Sequence, residues 1–287
     1  MICYASRIAP RVRAWLDRFA TNQPPGVSSS PGGFILHLFP HACNLVNEQG
    51  AVLSLVTSDI GPNPLAIVLP PLHFPDFITM DSTPSLALPL SGGGNLALVR
   101  VVVGKLTIDL TTAVLWQPVP AWHNRLDLEL IHTIVTNHPD FQPAVPLGLA
   151  NQMQQALHNH DEALIAQTAR QLAGLGPGLT PAGDDFLVGV LYSVFSNQYS
   201  VFSIQSEPPL ITDYCSLITS SSTPHTTTLS ANLLEAAGRG EASEAWHELL
   251  RAQEKMTVYS AISHILYTGH SSGSDALLGF LMGIMLR

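Results

Sequence analysis

The stretch GLGPGLTPAGDDFLVGVL, residues 174–191, places four glycines, two prolines and two adjacent aspartates directly ahead of an apolar run. A second stretch, GHSSGSDALLGFLMG at residues 269–283, has a similar composition. When the two are aligned ninety residues apart, both contain the pattern G-x-D-x-L-x-G. The aligned pairs are Thr180 with His270, Gly183 with Gly273, Asp185 with Asp275, Leu187 with Leu277, and Gly189 with Gly279. The repeat predicts two similar helix starts that face each other across one pocket.

Helix starts of this kind are suited to bind small anions. The first backbone N–H groups of a helix have no acceptor within the helix, and the helix dipole makes that end positive. Glycines let an anion approach these groups closely, so no lysine is needed, and the chain contains only Lys105 and Lys255. We therefore expect substrate binding at Gly176, Gly178, Thr180, Gly183, Ser271, Ser272, Gly273 and Asp275, and at Arg170 just ahead of the first loop.

The acidic residues of the motifs are candidates for chemistry. Asp275 follows Ser272 at the spacing of a capping box, so capping and function stay equally open for it. Asp185 follows Ala182, which cannot form that box, and a function is favoured. Two adjacent acids near an anion require a bridging cation or a role in proton transfer. Asp184 and Asp185 are therefore predicted Mg²⁺ ligands, and Asp185 is also a predicted catalytic residue.

His270 is the second candidate catalytic residue. A neutral imidazole in this loop donates to an oxyanion or transfers a proton, although a capping role is equally open. The sequence has no Gly-Lys-Ser/Thr or His-Glu-x-x-His motif, and no Gly-x-Ser-x-Gly or Gly-x-Gly-x-x-Gly placed after a predicted strand. No nucleotide, haem or zinc is expected.

The composition favours a globular subunit of a larger assembly. Hydrophobic residues make up 46% of the 287 residues, whereas only 11% are charged. A typical soluble domain has roughly 25% charged residues, so much of this surface must be covered by uncharged groups or by partners. The net charge is −9 and no Lys/Arg cluster occurs, which argues against nucleic acid and anionic membranes as partners.

Membrane spans, export signals and disulfides are not predicted. No apolar run reaches the ~18 residues that a bilayer span requires, and the N-terminal segment lacks a signal-peptide pattern. Cys3, Cys43 and Cys215 are too few and too scattered for a disulfide framework. We expect a cytoplasmic protein.

The order of predicted elements indicates an α+β fold with two domains. After an initial helix through about Phe19, short β-rich runs predict an antiparallel sheet or small barrel within residues 1–120. Helical periodicity predominates in residues 121–287. The predicted helices there are Leu126–Asn137, Leu147–Asn159, Glu162–Leu172, Asp184–Phe195, Thr228–Ala237, Ser243–Gln253, Val258–Tyr267 and Ser274–Leu286.

Two kinds of connection complete this prediction. SGGGN at residues 91–95 and the single Gly104 are typical of hairpin turns. The segment Asn197–Pro224 has little periodicity and is predicted to be a long surface excursion.

The two motifs, in this order, resemble those of the AllH-like family, best known as one subunit of the oxamate carbamoyltransferase of anaerobic allantoin breakdown. The matching positions are Gly176, Pro177, Gly178, Thr180, Pro181, Asp184, Asp185, Gly189, Gly269, His270, Ser271, Ser272, Gly273, Asp275 and Gly279. Ala182 departs from the serine expected, which leaves Thr180 as the hydroxyl of the first motif. A fainter resemblance includes Asn44, Leu45, Gly50, Gly61 and Pro62.

The resemblance implies a reaction in which oxalurate and phosphate give oxamate and carbamoyl phosphate, carried out with two further subunits. The motifs would bind a carboxylate or phosphate. Asp185 with Asp184 would hold Mg²⁺ or orient the carbamoyl nitrogen, and His270 would stabilise charge on the transferred carbonyl. Two alternatives stay open: a non-catalytic assembly subunit, and a small-anion binding or sensor protein that acts alone.

Overall fold

The protein has the predicted α+β architecture, with mixed β-sheets ahead of a helical region. Its structure, a computed structural model, describes residues 1–21, 33–87, 100–122, 126–200 and 211–284. The chain divides into two compact units, Met1–Pro118 and Val119–Arg287.

Two β-sheets form the first unit. The described strands are β1 (Ile2–Tyr4), β2 (Arg7–Ile8), β3 (Gly33–Leu38), β4 (Ala42–Asn47), β5 (Val52–Thr57), β6 (Ala66–Leu69), β7 (Ser85–Ala87), β8 (Arg100–Val103), β9 (Leu106–Asp109) and β10 (Val114–Leu115). One sheet has the order β1-β9-β8-β7, and the other has the order β10-β2-β6-β5-β4-β3.

Both sheets are mixed and open, whereas the sequence predicts an antiparallel sheet or small barrel. Strand β1 is parallel to β9, β2 is parallel to β10, and β5 is parallel to β6. The remaining pairs are antiparallel. Two of these parallel pairs, β1–β9 and β2–β10, join segments that are distant in the chain, and a parallel pair has no tight hairpin turn from which it could be predicted.

The predicted initial helix is shorter than expected. Helix α1 spans Pro10–Thr21, and strands β1 and β2 occupy the residues before it. Proline fits the first position of a helix, and its ring disfavours the helical conformation in the preceding Ala9. Pro10 therefore sets the start of α1, while Cys3 and Ile8 contribute buried side chains to the sheet unit.

The hairpin turn predicted at Gly104 is confirmed. Gly104 joins the antiparallel strands β8 and β9, with φ of +56°. A Cβ at this position would lie 2.6 Å from the Phe77 carbonyl oxygen, so only glycine fits. The other predicted turn, SGGGN at residues 91–95, lies outside the described residues.

Nine described helices make up the second unit. Their bounds are α2 (Leu128–Asn137), α3 (Leu147–His158), α4 (Glu162–Leu172), α5 (Ala182–Ser200), α6 (Ile211–Ser222), α7 (Thr228–Ala237), α8 (Glu244–Arg251), α9 (Lys255–Leu266) and α10 (Ser272–Ile284). The eight helices predicted for this region are confirmed, with ends that differ by a few residues. Across the described ranges, none of the helices combines the length and apolarity needed to cross a bilayer.

Helix α6 corrects the prediction of a surface excursion over Asn197–Pro224 for its described part, while residues 201–210 of that range lie outside the described residues. Its sequence, ITDYCSLITSSS, is rich in β-branched and hydroxyl residues, which have low helix propensity. Burial favours the helix instead, because Cys215 and Ile218, on adjacent turns of the same helix, both lie in the core. The hydroxyls of Thr219 and Ser222 donate to carbonyl oxygens four residues earlier, which satisfies them within the helix.

Helices α5 and α10 form the centre of the second unit. Phe186 and Leu187 on α5, and Leu277 and Phe280 on α10, are fully buried. Helix α10 also contacts α3 and α9, and α5 also contacts α4, α6 and α7. Both glycine-rich motifs lie at the N-terminal ends of this central pair, so the packing of the core fixes their positions.

Candidate active site

The central helices approach each other through two glycines. A Cβ on Gly189 would overlap the carbonyl oxygen of Ala276, and a Cβ on Gly279 would overlap the carbonyl oxygen of Phe186. Phe186 and Ala276 are themselves ninety residues apart, as are the two glycines. The two contacts are therefore equivalent, and the sequence repeat corresponds to two helices that pack with an internal two-fold relationship.

Gly183 and Gly273 allow each of these helices to pack against the helix before it. A Cβ on either residue would overlap a carbonyl oxygen near the end of α4 or α9. The Gly183 N–H donates to the Leu175 carbonyl oxygen at 3.0 Å, and the Gly273 N–H donates to that of Thr268 at 3.2 Å. These two N–H groups are already engaged, so an anion at this place must be held by neighbouring groups.

The loops ahead of the two helices lie against each other, as the repeat predicts. The hydroxyl oxygens of Thr180 and Ser272 are 3.0 Å apart. Gly176 and Gly178 are exposed and have φ of +120° and +99°. A Cβ on Gly178 would have no described atom within 4 Å, so this side of the first loop is open.

Asp184 is a buried residue with a structural role. Its Oδ1 accepts a hydrogen bond from the Gly174 N–H at 2.9 Å, and its Oδ2 accepts one from the Thr226 hydroxyl. Burial raises the pKa of Asp184, and hydrogen bonds from Thr226, Gly174 and Ser230 act in the opposite direction. Asp184 thereby holds the first loop against the residues that precede α7.

Asp185 differs from its neighbour in having one free oxygen. The residue is partly exposed, but its Oδ2 is buried and has no hydrogen-bond partner among the residues that the structure describes. Burial raises the pKa of Asp185 to about 8, and the charges of Asp275 and Asp184 also raise it. Hydrogen bonds from the Ser272 and Thr180 hydroxyls lower the pKa. Asp185 is therefore protonated at neutral pH.

Asp275 is fully buried at the equivalent position of α10. Its Oδ1 accepts hydrogen bonds from the N–H groups of Ala144 at 2.7 Å and Val145 at 2.8 Å. Its Oδ2 is buried and unpartnered within the described ranges of the chain. Burial raises the pKa of Asp275, whereas these two bonds and one from Ser271 lower it. Asp275 thus holds the loop between α2 and α3 and does not act as a simple cap of its own helix.

The two predicted residues with the longest side chains are exposed. His270 lies in the turn ahead of α10, and Arg170 lies in the last turn of α4. Neither side chain has a hydrogen bond or ion pair with the three aspartates in the described structure. The hydroxyls of Thr180, Ser271 and Ser272 are the predicted groups that the fold brings to the carboxyls.

The segment that contains both motifs is similar to a known protein family. Residues 172–284 match the family model of oxamate carbamoyltransferase subunit AllH. This AllH match runs from the end of α4 to the end of α10 and confirms the resemblance over less than half of the chain. The fainter resemblance between Asn44 and Pro62 lies outside the matched residues and stays a prediction. No solved structure matches the chain.

A magnesium ion held by Asp184 and Asp185 fits the AllH-matching segment poorly. Both oxygens of Asp184 already accept a hydrogen bond, from the Gly174 N–H and from the Thr226 hydroxyl. No group of three or more His, Cys, Asp and Glu suited to a metal occurs in the portions of the chain that the structure describes. Mg²⁺ prefers octahedral coordination by oxygen, which this pair does not provide. Magnesium as a cofactor of this chain stays a prediction.

Sequence reasoning misses several residues that support the AllH-matching segment. Thr226 contacts Asp184, and the backbone of Ala144 and Val145 contacts Asp275. The Thr227 hydroxyl caps α7 and also donates to the Leu179 carbonyl oxygen at 2.7 Å. The sequence gives a capping signal at Thr227, but none of these residues carries a signal for contact with a motif more than forty residues away.

Proposed function

We propose that this chain is a subunit of oxamate carbamoyltransferase and that the crossing of α5 and α10 forms part of its substrate site, with Asp185 as the catalytic acid. One observation carries this proposal. The Asp185 carboxyl has a buried, unpartnered oxygen and receives hydrogen bonds from one hydroxyl of each motif, Thr180 and Ser272. The AllH match over the same residues supports the reaction that we assign to it.

The free oxygen of Asp185 costs stability in the absence of a ligand. A buried polar group without a hydrogen-bond partner destabilises a folded protein by roughly 1–3 kcal/mol. Asp184, directly beside it, shows that the fold is able to satisfy a buried carboxyl at this helix start. A carboxyl left unsatisfied at the mouth of two loops is therefore best explained by a bound substrate that supplies the missing partner.

Because Asp185 is protonated, its carboxyl does not oppose anion binding by charge repulsion. A neutral carboxyl does not repel a carboxylate or phosphate, and it donates a hydrogen bond to either one. It also provides the proton that the reaction requires. A phosphate oxygen attacks the carbamoyl carbon of oxalurate, and the bond from that carbon to the oxamate nitrogen breaks. Asp185 gives its proton to this leaving nitrogen, and its carboxylate then takes the proton of the phosphate hydroxyl.

The other motif residues have positioning roles in this proposal. The exposed backbone at Gly176 and Gly178 and the hydroxyls of Ser271 and Ser272 provide polar contacts around a small anion. His270 stabilises the charge that develops on the transferred carbonyl when the loop ahead of α10 closes on the substrate. Arg170 attracts the anion from the end of α4.

The test is turnover by the complex reconstituted with its partner subunits. Asp185→Asn removes the transferable proton, so the rate should fall on the order of 10²–10⁴-fold, the usual contribution of a general acid. The melting temperature of the chain should stay the same or rise. Asp161→Asn is the matched control, because Asp161 is an exposed aspartate at the start of α4 whose side chain accepts the Leu164 N–H.

The same set of proteins separates the alternatives. Full activity in the Asp185→Asn complex would contradict the proposed acid. An assembly role would instead be indicated if motif variants no longer co-purify with the partner subunits and no anion binding is detected. A stable isolated chain that binds anions without any turnover would indicate a sensor. Calorimetric titration with phosphate, carbamoyl phosphate and oxamate, with and without Mg²⁺, measures anion binding and tests the predicted cation.

A further inference from the structure

Asp185 and Asp275 form a pair across the internal two-fold arrangement of α5 and α10. They occupy equivalent positions ninety residues apart, and the charge of Asp275 acts directly on Asp185. Each carboxyl has one oxygen, Oδ2, that is buried and unpartnered in the described structure. Asp275 has 0% exposed surface, so its unpartnered oxygen lies away from bulk water.

The surroundings of the two carboxyls are different, although the backbones are equivalent. Asp275 accepts two backbone N–H groups, which stabilise its ionised form. Asp185 is bound by the hydroxyls of Thr180 and Ser272. The residue equivalent to Ser272 in the first motif is Ala182, so the first helix offers Asp275 no matching hydroxyl.

This asymmetry assigns the proton of the pair to Asp185. The pKa of Asp185 is about 8, raised by burial and by the negative charge of Asp275. The two backbone N–H groups favour the ionised form of Asp275, so the pair combines a carboxylic acid at Asp185 with a carboxylate at Asp275. Such a pair has an O–H donor on Asp185 and an oxygen acceptor on Asp275.

We propose that this acid–carboxylate pair binds the primary amide or ureide group, –CO–NH₂, of the substrate. The Asp185 O–H donates to the carbonyl oxygen of that group, and Asp275 Oδ2 accepts one of its N–H groups. Oxalurate, oxamate and carbamoyl phosphate all carry –CO–NH₂, whereas oxalate and phosphate do not. The inference deepens the proposed function and rests on it for the choice of these compounds.

Calorimetric titration of the full chain with oxamate and with oxalate tests the pair. The two probes have the same carbon skeleton, but in oxalate a carboxylate replaces the amide, so it has no N–H for Asp275. The wild type should prefer oxamate over oxalate by at least about 10-fold, the effect of one hydrogen bond to a charged group.

Asp275→Asn replaces the unpartnered acceptor oxygen, Oδ2, with a hydrogen-bond donor. Its Oδ1 is able to keep the bonds from Ala144 and Val145, while its NH₂ replaces the unpartnered oxygen. Oxamate affinity should fall by about 10-fold or more, and the preference for oxamate over oxalate should disappear or reverse. Asp161→Asn should keep the wild-type preference. Circular dichroism and the melting temperature establish that each variant is folded.

The pH dependence of oxamate binding tests the role of Asp185. Wild-type affinity should fall above about pH 8, because the donor proton of Asp185 is lost. Asp185→Asn retains an NH₂ donor that does not titrate, so its affinity should be flat across this range. Asp184 on α5, Asp275 on α10, and the exposed His225 and His270 remain in both proteins, so a loss of affinity above about pH 8 in the wild type alone is assigned to Asp185.

The outcomes distinguish this inference from the proposed function. Equal binding of oxamate and oxalate in the wild type, or an unchanged preference in a folded Asp275→Asn protein, would overturn the amide site. If the reconstituted complex turns over oxalurate in that case, the proposed function stands. If the complex shows no turnover but the isolated chain has the predicted preference, the amide site stands and the carbamoyltransferase assignment is wrong.

Discussion

At the scale of single residues, Asp184 and Asp185 show how adjacent identical side chains acquire different roles. Their sequence context indicates only that both lie at the start of a helix. In the structure, Asp184 points its oxygens to Gly174 and Thr226, whereas Asp185 keeps one oxygen unpartnered. The unpartnered oxygen supports the function that we propose for Asp185, whereas both oxygens of Asp184 already have hydrogen-bond donors.

The raised pKa of Asp185 predicts a pH-dependent stability. The folded protein holds this proton up to about pH 8, whereas an unfolded chain releases it near the ordinary aspartate pKa of 3.8. Between these values the folded state binds more protons, so the free energy of unfolding falls as pH rises. The slope from this group is at most about 1.4 kcal/mol per pH unit. Asp185→Asn should therefore flatten the pH profile and raise the melting temperature at pH 8, as measured by thermal denaturation.

Asp184 provides the comparison for this measurement. Asp184→Ala leaves the Gly174 N–H and the Thr226 hydroxyl without their buried acceptor and should lower the free energy of unfolding by about 2–4 kcal/mol. A similar loss of stability in Asp185→Ala would indicate that Asp185 also has a structural role.

At the scale of elements, the repeated glycines belong to helix packing. The sequence repeat predicts that two glycine-led helices meet, and α5 and α10 do meet. The sequence predicts that Gly183 and Gly273 contact an anion, but it does not predict that they pack against α4 and α9. A glycine required for close backbone approach and a glycine required for a ligand have the same sequence signature.

Substitution of the central glycines tests this packing role. Gly189→Ala and Gly279→Ala place a methyl group on the carbonyl oxygen of Ala276 and of Phe186, respectively. Each should lower the free energy of unfolding by about 3 kcal/mol, because the helices must separate. The matched control is Gly148→Ala in α3, where no described atom lies within 4 Å of the added Cβ. It should stabilise the helix by about 0.5–1 kcal/mol. Urea denaturation measures all three, and similar effects for all three would contradict the packing role.

At the scale of the whole molecule, each unit has its own hydrophobic core. The largest buried cluster extends from Trp122 to Ile284, and the main cluster of the first unit extends from Cys3 to Leu110. The division between Pro118 and Val119 separates these two clusters. A unit with a complete core of its own is expected to fold alone.

Residues 119–287 produced separately should therefore fold. We expect a helical circular dichroism spectrum and a cooperative thermal transition, with Asp185→Asn shifting that transition as it does in the full chain. A fragment that is unfolded, or that melts without cooperativity, would show that the second core depends on the first unit.

The sequence by itself determined the α+β class, the eight predicted helices and the existence of two equivalent motifs, because helical periodicity and helix-start residues are local properties. It also singled out Asp185, since Ala182 three residues earlier rules out the ordinary capping explanation. The tertiary structure decided the parallel strand pairs, the helix α6 and the different hydrogen-bond partners of Asp184, Asp185 and Asp275. These depend on which distant groups reach a given atom: Thr226 reaches Asp184, and the Ala144 and Val145 backbone reaches Asp275. Whether a buried oxygen is satisfied or left free is set by such contacts, and no local pattern encodes them.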